Sequence, residues 1–313
     1  GLGALETTLE SAAALTGSAA LDLSKRAVLV LCADNGVVAR GVSQTDQSVT
    51  RAVAENLAAR RTSVCQMAKT ARCEVVPVDL GMAGEPVPGV QNCRIAAGTA
   101  DFTTGPAITR QQAVDAIAAG MGLVRAQKAA GMQLLATGEM GIGNTTPSSA
   151  IVAVLTGTPV ETVTGRGSGV RGEVIRKKIK LIEQGITLNK PDPSDAIDVL
   201  AKVGGPEIGA MAGLMLGAAS LRVPIVIDGF IAGAAAAIAQ GIRPEAAQYF
   251  IGSHNSAEPG HKLIMDHIGV TMYMDLGLCL GEGTGAALFF PLLDAATRVL
   301  SEICLLYTSP SPR

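Results

Sequence analysis

Residues 27–32 read AVLVLC and run directly into Ala33-Asp34-Asn35-Gly36. A short, continuous apolar run without alternation is what a strand buried on both faces requires. An acid, an amide and a glycine then end it in a turn. Comparable runs follow at 74–80 (EVVPVDL), 132–136 (MQLLA), 223–227 (VPIVI) and 272–276 (MYMDL). Ala-rich segments with helical spacing lie between them, at 48–69, 110–130, 205–221 and 230–240, and 2–15 and 285–300 read as further helices. Strands separated by helix-length segments specify βαβ units, hence an α/β fold with a mainly parallel sheet. Pro77 either weakens the second strand or sets it at an edge, because proline donates no ladder hydrogen bond. The polar stretch 188–194 (LNKPDPS) reads as a loop between sub-blocks.

Apolar residues make up 48% of the 313 and charged residues only 17%, which supports a sizeable core. A net charge of −2 leaves no electrostatic footprint for nucleic acid. With no Trp, 3 Tyr and 5 Phe, base-stacking platforms are also excluded, so the expected ligand is a small molecule. The six cysteines form no C-x-x-C pair and the three histidines are not interleaved with them. Neither a zinc site nor a disulfide framework is expected, and the chain reads as a protein of the reducing cytoplasm. No apolar stretch reaches the ~20 uncharged residues of a bilayer span.

Each run delivers an acid beside a glycine: Asp34 with Gly36, Asp79 with Gly81, Glu139 after Gly138, Asp228 with Gly229, and Asp275 with Gly277. Just beyond the fifth comes Glu282, within 281–285 (GEGTG). In open α/β sheets, ligands bind past the carboxyl ends of the strands. Turn preference explains one or two of these acids; five in succession point to a shared crevice. Glycines around Glu282 free the backbone for φ > 0 and let a ligand come close, so this carboxylate is read as a working group.

Two glycine-rich turns are candidates for holding an anion. Residues 164–169 (TGRGSG) offer main-chain amides at Gly165, Gly167, Ser168 and Gly169, with Lys178 on the basic segment that follows. Residues 141–146 (GIGNTT) place Gly141, Gly143, Asn144 and Thr145 ahead of an apolar helix whose N-terminal amides could meet a phosphate. Capping turns are the alternative for both. Neither is a P-loop, and neither completes G-x-G-x-x-G, since Val170 and Ala286 stand where glycine would be needed. His254 and His261 flank Glu258-Pro259-Gly260, which is expected to break any helix, so a hydrogen-bonded structural loop is favoured over a metal site. The charged run 171–180 reads as a solvated helix face.

Read together, these blocks resemble the nicotinate-nucleotide–dimethylbenzimidazole phosphoribosyltransferase family. The matching pieces include 33–37 (ADNGV), 138–146 (GEMGIGNTT), 164–169, 204–208 (GGPEI), 228–231 (DGFI), 256–261 (SAEPGH) and 280–286 (LGEGTGA), over nearly the whole chain. The resemblance implies a Rossmann-like sheet with helices on both faces and a homodimer. It implies a catalytic domain over 27–284, and a small helical subdomain built from 1–26 and 285–303. It also implies transfer of phosphoribose from nicotinate mononucleotide to a benzimidazole-type base, with no metal or cofactor. Glu282 would be the general base and Glu139 a second carboxylate at the ribose. The two glycine turns with Lys178 and Asp228 would hold the nucleotide, and Thr45, Val53 and Leu280 the incoming base. A non-catalytic nucleotide-binding sensor is the alternative, though a sensor needs no base. An NAD-dependent oxidoreductase is disfavoured by the missing fingerprint.

Asn35, Asp101 and Asn255 depart from the usual family residues (His, Asn and a basic residue), which bears on the choice of incoming base. The family's opening Pro-Gly-Ser is absent before Leu2. Residues 304–313 (CLLYTSPSPR) fit neither a helix nor the family and match the translation of a sequencing-library adapter, so native sequence is expected to stop near Ile303.

Overall fold

The computed structural model describes residues 1–18, 21–167 and 169–307, with side chains through Glu302. The chain opens with helix α1 (Ala4–Thr16) and strand β1 (Arg26–Ala33). Helices α2 (Ser48–Ala58) and α3 (Ser63–Ala71) lead to strands β2 (Glu74–Gly81) and β3 (Gln91–Asn92). Helix α4 (Arg110–Ala129) precedes β4 (Leu134–Met140), and α5 (Thr145–Thr156), α6 (Val160–Val163), α7 (Glu173–Asn189), α8 (Ala196–Val203) and α9 (Pro206–Leu221) follow. Then come β5 (Ile225–Ile227), α10 (Phe230–Ile242), β6 (Phe250–Gly252) and β7 (His254–Ser256). Helix α11 (Gly260–Ile268), strand β8 (Met274–Leu278) and helix α12 (Thr284–Tyr307) complete the order.

Six strands form one sheet, ordered β3-β2-β1-β4-β5-β6, and every pairing is parallel. This is the doubly wound order, whose winding direction reverses between β1 and β4. Every residue of β1 is buried, as the unbroken apolar run demands. Its alternate side chains feed two cores. Leu29 and Leu31 join residues of α4, α5, α8, α9 and α10 on one face. Val28, Val30 and Cys32 join α3 and the first half of α12, through Ala286, Phe289, Phe290 and Leu293, on the other. Helices α4 and α9 approach closely because Gly120 and Gly213 lack the Cβ that would strike the Ala210 and Ile117 carbonyls. Among the described residues, no helix is long and apolar enough to cross a membrane.

Pro77 pairs with Val30 on one side only, since β3 reaches β2 no further than Val78 and Asp79. At the proline the strand is therefore an edge. Several expectations need correction. The segment 48–69 is two helices, separated where Arg60 turns left-handed (φ 60°) and Thr62 is extended. The fifth run does not join the main sheet: β8 pairs with β7 in a separate two-stranded sheet, and Asp275, Leu276 and Gly277 on it are exposed. Without helices on both faces it could not be an interior strand; the sixth place goes to β6, whose three residues carry no periodicity. Finally, Pro259-Gly260 opens helix α11 rather than preventing one, a position where proline's missing N–H costs nothing. The backbone of α12 continues to Tyr307, four residues into the segment expected to be non-helical, and 308–313 lie outside the described residues.

Candidate active site

A cavity of about 310 Å³ opens beyond the carboxyl ends of β4 and β5, near the β1/β4 reversal. Its walls come from the loop after β1 (Val42, Ser43), from Val53 on α2, from residues 139–145 at and beyond the end of β4 and from residues 228–232 after β5. Ser256 to Glu258 after β7 and Cys279 to Glu282 after β8 close it.

Glu139 is the penultimate residue of β4 and is buried. Burial, reinforced by Asp228, Glu207 and Glu282, pushes its carboxyl up to about 8, against a hydrogen bond donated by Asn144 Nδ2. It is thus largely protonated near neutrality. Gly281 packs on it so closely that a Cβ would strike Glu139 Oε1. Asp228, also buried, accepts from the Ala286 amide at 2.9 Å and so caps the start of α12. Burial raises its carboxyl above the usual range, while His254 opposes the shift.

Glu282 has φ 66°. Among the described residues, the other four non-glycine residues with positive φ, Arg60, Arg72, Lys190 and Arg222, each lie just past a helix end, where this conformation is common. Glu282 sits instead in a turn held by its own amide, which donates to the Glu139 carbonyl at 3.1 Å. Its Oε2 accepts from the Val64 amide at 3.3 Å, in the first turn of α3. Burial raises this carboxyl, and the Val64 amide and Thr62 hydroxyl pull it back.

Directly after β4, residues 141–145 form a turn at the N-terminus of α5, with Gly143 at φ 85° and Ile142 anchored by its amide to Thr50 Oγ1 at 3.1 Å. Lys178 is buried behind this turn, and its Nζ donates to Thr145 Oγ1 at 2.7 Å and the Gly165 carbonyl at 3.3 Å. Burial pulls the ammonium down to about 8, while Glu258 supports the charge. Of the charged run 171–180, this lysine is the one that points inward.

The cavity therefore brings together Glu139, Glu282, Asp228, Gly141, Gly143, Asn144, Thr145, Gly167, Val53 and Leu280. It does not bring Thr45, which is exposed and off the lining, so its expected place against the base is not supported. Gly165 and Gly169 also stand back from the lining; the Gly169 carbonyl accepts from Gln44 Nε2 at 2.8 Å. Ser168 lies outside the described residues. Asn35, Asp101 and Asn255 are off the lining as well: Asn35 donates to Glu207 Oε1 at 2.9 Å and Asp101 pairs with Arg40.

The shared crevice holds fewer acids than the strand ends offered. Asp79 accepts from the Gly81 and Met82 amides and pairs with Arg94, and Asp34 accepts from the Ala83 amide, so both serve local turns. One acid was quoted in the sequence without being singled out. Glu258 lines the cavity, its Oε1 accepting from the Gly167 amide at 2.8 Å while Oε2 has no hydrogen-bond partner among the described residues. Its signal was its place in SAEPGH. The histidine loop is structural: His261 Nε2 meets the His254 carbonyl at 3.0 Å, and burial holds His261 down to about 4, hence neutral.

Residues 1–306 match the profile of a family described as "Phosphoribosyltransferase". The nicotinate-nucleotide–dimethylbenzimidazole phosphoribosyltransferase of Geotalea uraniireducens is 46% identical over 304 residues, 96% of this chain and 86% of that protein. The enzyme of the same name from Desulforamulus reducens is 46% identical over 277 residues, 88% of this chain and 79% of its own. CobT from Thermus thermophilus superposes with a TM-score of 0.92 at 40% identity, over 96% of this chain and 90% of that one. With two carboxylates and a helix N-terminus lining one cavity, this chain belongs to the nicotinate-nucleotide–dimethylbenzimidazole phosphoribosyltransferase family.

Proposed function

We propose that this protein transfers the phosphoribosyl group of nicotinate mononucleotide to 5,6-dimethylbenzimidazole. The products are nicotinate and α-ribazole 5′-phosphate, used in assembling the nucleotide loop of cobalamin. The observation that carries the residue roles is their meeting at one cavity: Glu139, Glu282 and the α5 N-terminal turn line it, and Lys178 supports that turn from behind through Thr145.

Nicotinate departs from a cationic pyridinium, so its leaving requires no general acid. The incoming benzimidazole attacks C1′ through one ring nitrogen and must lose the proton on the other. Glu282 accepts that proton. Cationic character at the ribose favours the ionised form of Glu139, whose charge then stabilises the developing oxocarbenium. The amides of the turn 141–145 and the Lys178 ammonium receive the 5′-phosphate. Asp228 anchors the start of α12, and thereby the Glu282 turn, beside the ribose. Val53 and Leu280 flank the benzimidazole.

The protein works in the cytoplasm, a reading supported by its substrates and by five free cysteines among the described residues. It acts as a homodimer, with 1–26 and 285–303 as the helical elements flanking the catalytic unit; exposed Leu276 and Leu292 offer apolar surface for that contact. Incubation with nicotinate mononucleotide and dimethylbenzimidazole should release nicotinate, and Glu282→Gln should lower kcat roughly 10²- to 10⁴-fold. Undiminished turnover in Glu282→Gln would remove Glu282 as the base. Binding without release by the folded wild-type protein would favour a sensor.

A further inference from the structure

We propose that Thr50 is a positioning residue for the nucleotide, its hydroxyl oxygen fixing the main chain of the turn 141–145 so that the amides of Gly143 and Thr145 are left for the phosphate. The inference rests on the reading of that turn as the receiver of the 5′-phosphate. The hydrogen bonds of the turn alternate along the chain. The Ile142 amide donates to Thr50 Oγ1 at 3.1 Å, the Asn144 amide to the Gly141 carbonyl at 3.0 Å and the Thr146 amide to the Gly143 carbonyl at 2.9 Å. Between them, the amides of Gly143 and Thr145 have no acceptor among the described residues, and both residues line the cavity. The polar side chains of the turn are already engaged: Asn144 Nδ2 donates to Glu139, and Thr145 Oγ1 accepts from Lys178. Main-chain amides left over at a cavity wall are donors for an anion.

Two of those three bonds close within the turn and its helix; the third ties it to another element. Thr50 is completely buried on α2, and Gln47 at the start of that helix is itself held by its Nε2, which donates to the Asn35 carbonyl at 2.8 Å. A peptide unit is planar, with N–H and C=O on opposite edges. Fixing the Ile142 N–H therefore also fixes the Gly141 carbonyl on which Asn144 closes the turn. Gly143 adds a second seat, since a Cβ there would stand 2.5 Å from Val38 Cγ2 in the segment after β1. Replacing the Thr50 hydroxyl by a methyl would strand the Ile142 donor and release this plane. Val53, one helical turn beyond Thr50, lines the cavity and flanks the incoming base on the same reading. Displacement of α2 as a whole would disturb both substrates, whereas loss of the hydroxyl should disturb the nucleotide alone.

The test compares wild type, Thr50→Val and Thr50→Ser by two measurements: calorimetric titration with inorganic phosphate, and KM for nicotinate mononucleotide and for dimethylbenzimidazole separately. Loss of the hydroxyl should weaken phosphate binding and raise the nucleotide KM, each roughly tenfold, with the KM for the base unmoved. Serine, which keeps the acceptor oxygen, should restore both. Unchanged phosphate binding in Thr50→Val overturns the proposal, as does a parallel rise in both KM values or failure of serine to restore them. Phosphate binding that weakens in Thr50→Val and recovers in Thr50→Ser, in a wild type that releases no nicotinate, supports the Thr50 assignment and instead rejects the transferase reading. Should Thr50→Val fail to fold, Thr50→Ala reads the same quantities.

Discussion

The amide of Glu282 donates to the carbonyl oxygen of Glu139 at 3.1 Å, so the two cavity carboxylates are joined main chain to main chain. Gly138 makes this possible, since a Cβ there would sit 2.8 Å from the Glu282 carbonyl oxygen. The spacing of the two acids is consequently set by backbone, and the left-handed turn at Glu282 is the cost of that junction.

That cost predicts an order of stabilities. A side chain in the left-handed region is unfavourable by about 1 kcal/mol relative to glycine. Glu282→Gly should therefore be about 1 kcal/mol more stable than Glu282→Ala, with both inactive. Urea unfolding midpoints at equal m-values check it; equal stabilities would show that the turn carries no strain.

Glu139 predicts a pH dependence of stability. Its carboxyl titrates at about 8 in the folded protein against an ordinary 4.5. Below 4.5 both states hold the proton and no penalty applies. As pH rises towards 8 the unfolded chain ionises first, so stability falls. Glu139→Gln should flatten this fall and unfold a few degrees higher than wild type at pH 8.5, with little difference at pH 4.5. Glu207, raised to about 7, should leave a residual slope. Thermal unfolding at the two pH values decides the matter.

Lys178 predicts a pH dependence of anion binding. With its ammonium brought down to about 8, it is charged at neutrality and loses its proton above that value. Inorganic phosphate, already a dianion there, should bind progressively more weakly from pH 8 to 10. Lys178→Met should bind it roughly 10- to 100-fold more weakly at pH 7 and show no further decline above 8. Calorimetric titration at several pH values measures both.

Glu258 holds the Gly167 amide that a phosphate would otherwise use. A dianion in that turn must displace a carboxylate or meet its repulsion. Glu258→Gln should accordingly tighten inorganic phosphate binding severalfold at pH 7, where Lys178 remains charged. Unchanged or weaker binding would place the phosphate wholly at the 141–145 turn.

The frame of the fold was legible because burial on both faces leaves a plain mark: residues 27–32 need no partner sequence to be read as an interior strand. Glu139 and Glu282 were legible for a related reason, as acids set among glycines where no solvated helix face could claim them. What escaped was whatever lacks period or proximity. Three residues at Phe250–Gly252 make a strand only because β5 lies beside them. Asp79 looks in sequence like Asp228, and only Arg94 and the Gly81 and Met82 amides reveal it as a turn residue. The bond from Val64 to Glu282 spans 218 positions and has no local signature. Lys178 hid among solvated neighbours, its inward direction set by the phase of α7.

The positive φ at Glu282 also has a bearing on descent. A glutamate codon becomes a glycine codon by one base change, and at this position glycine is the substitution the backbone accepts most readily. The step that extinguishes the chemistry is then the one selection for folding is least able to see. A chain with glycine here is expected to keep the fold while losing turnover, and should be looked for among proteins that still bind the nucleotide.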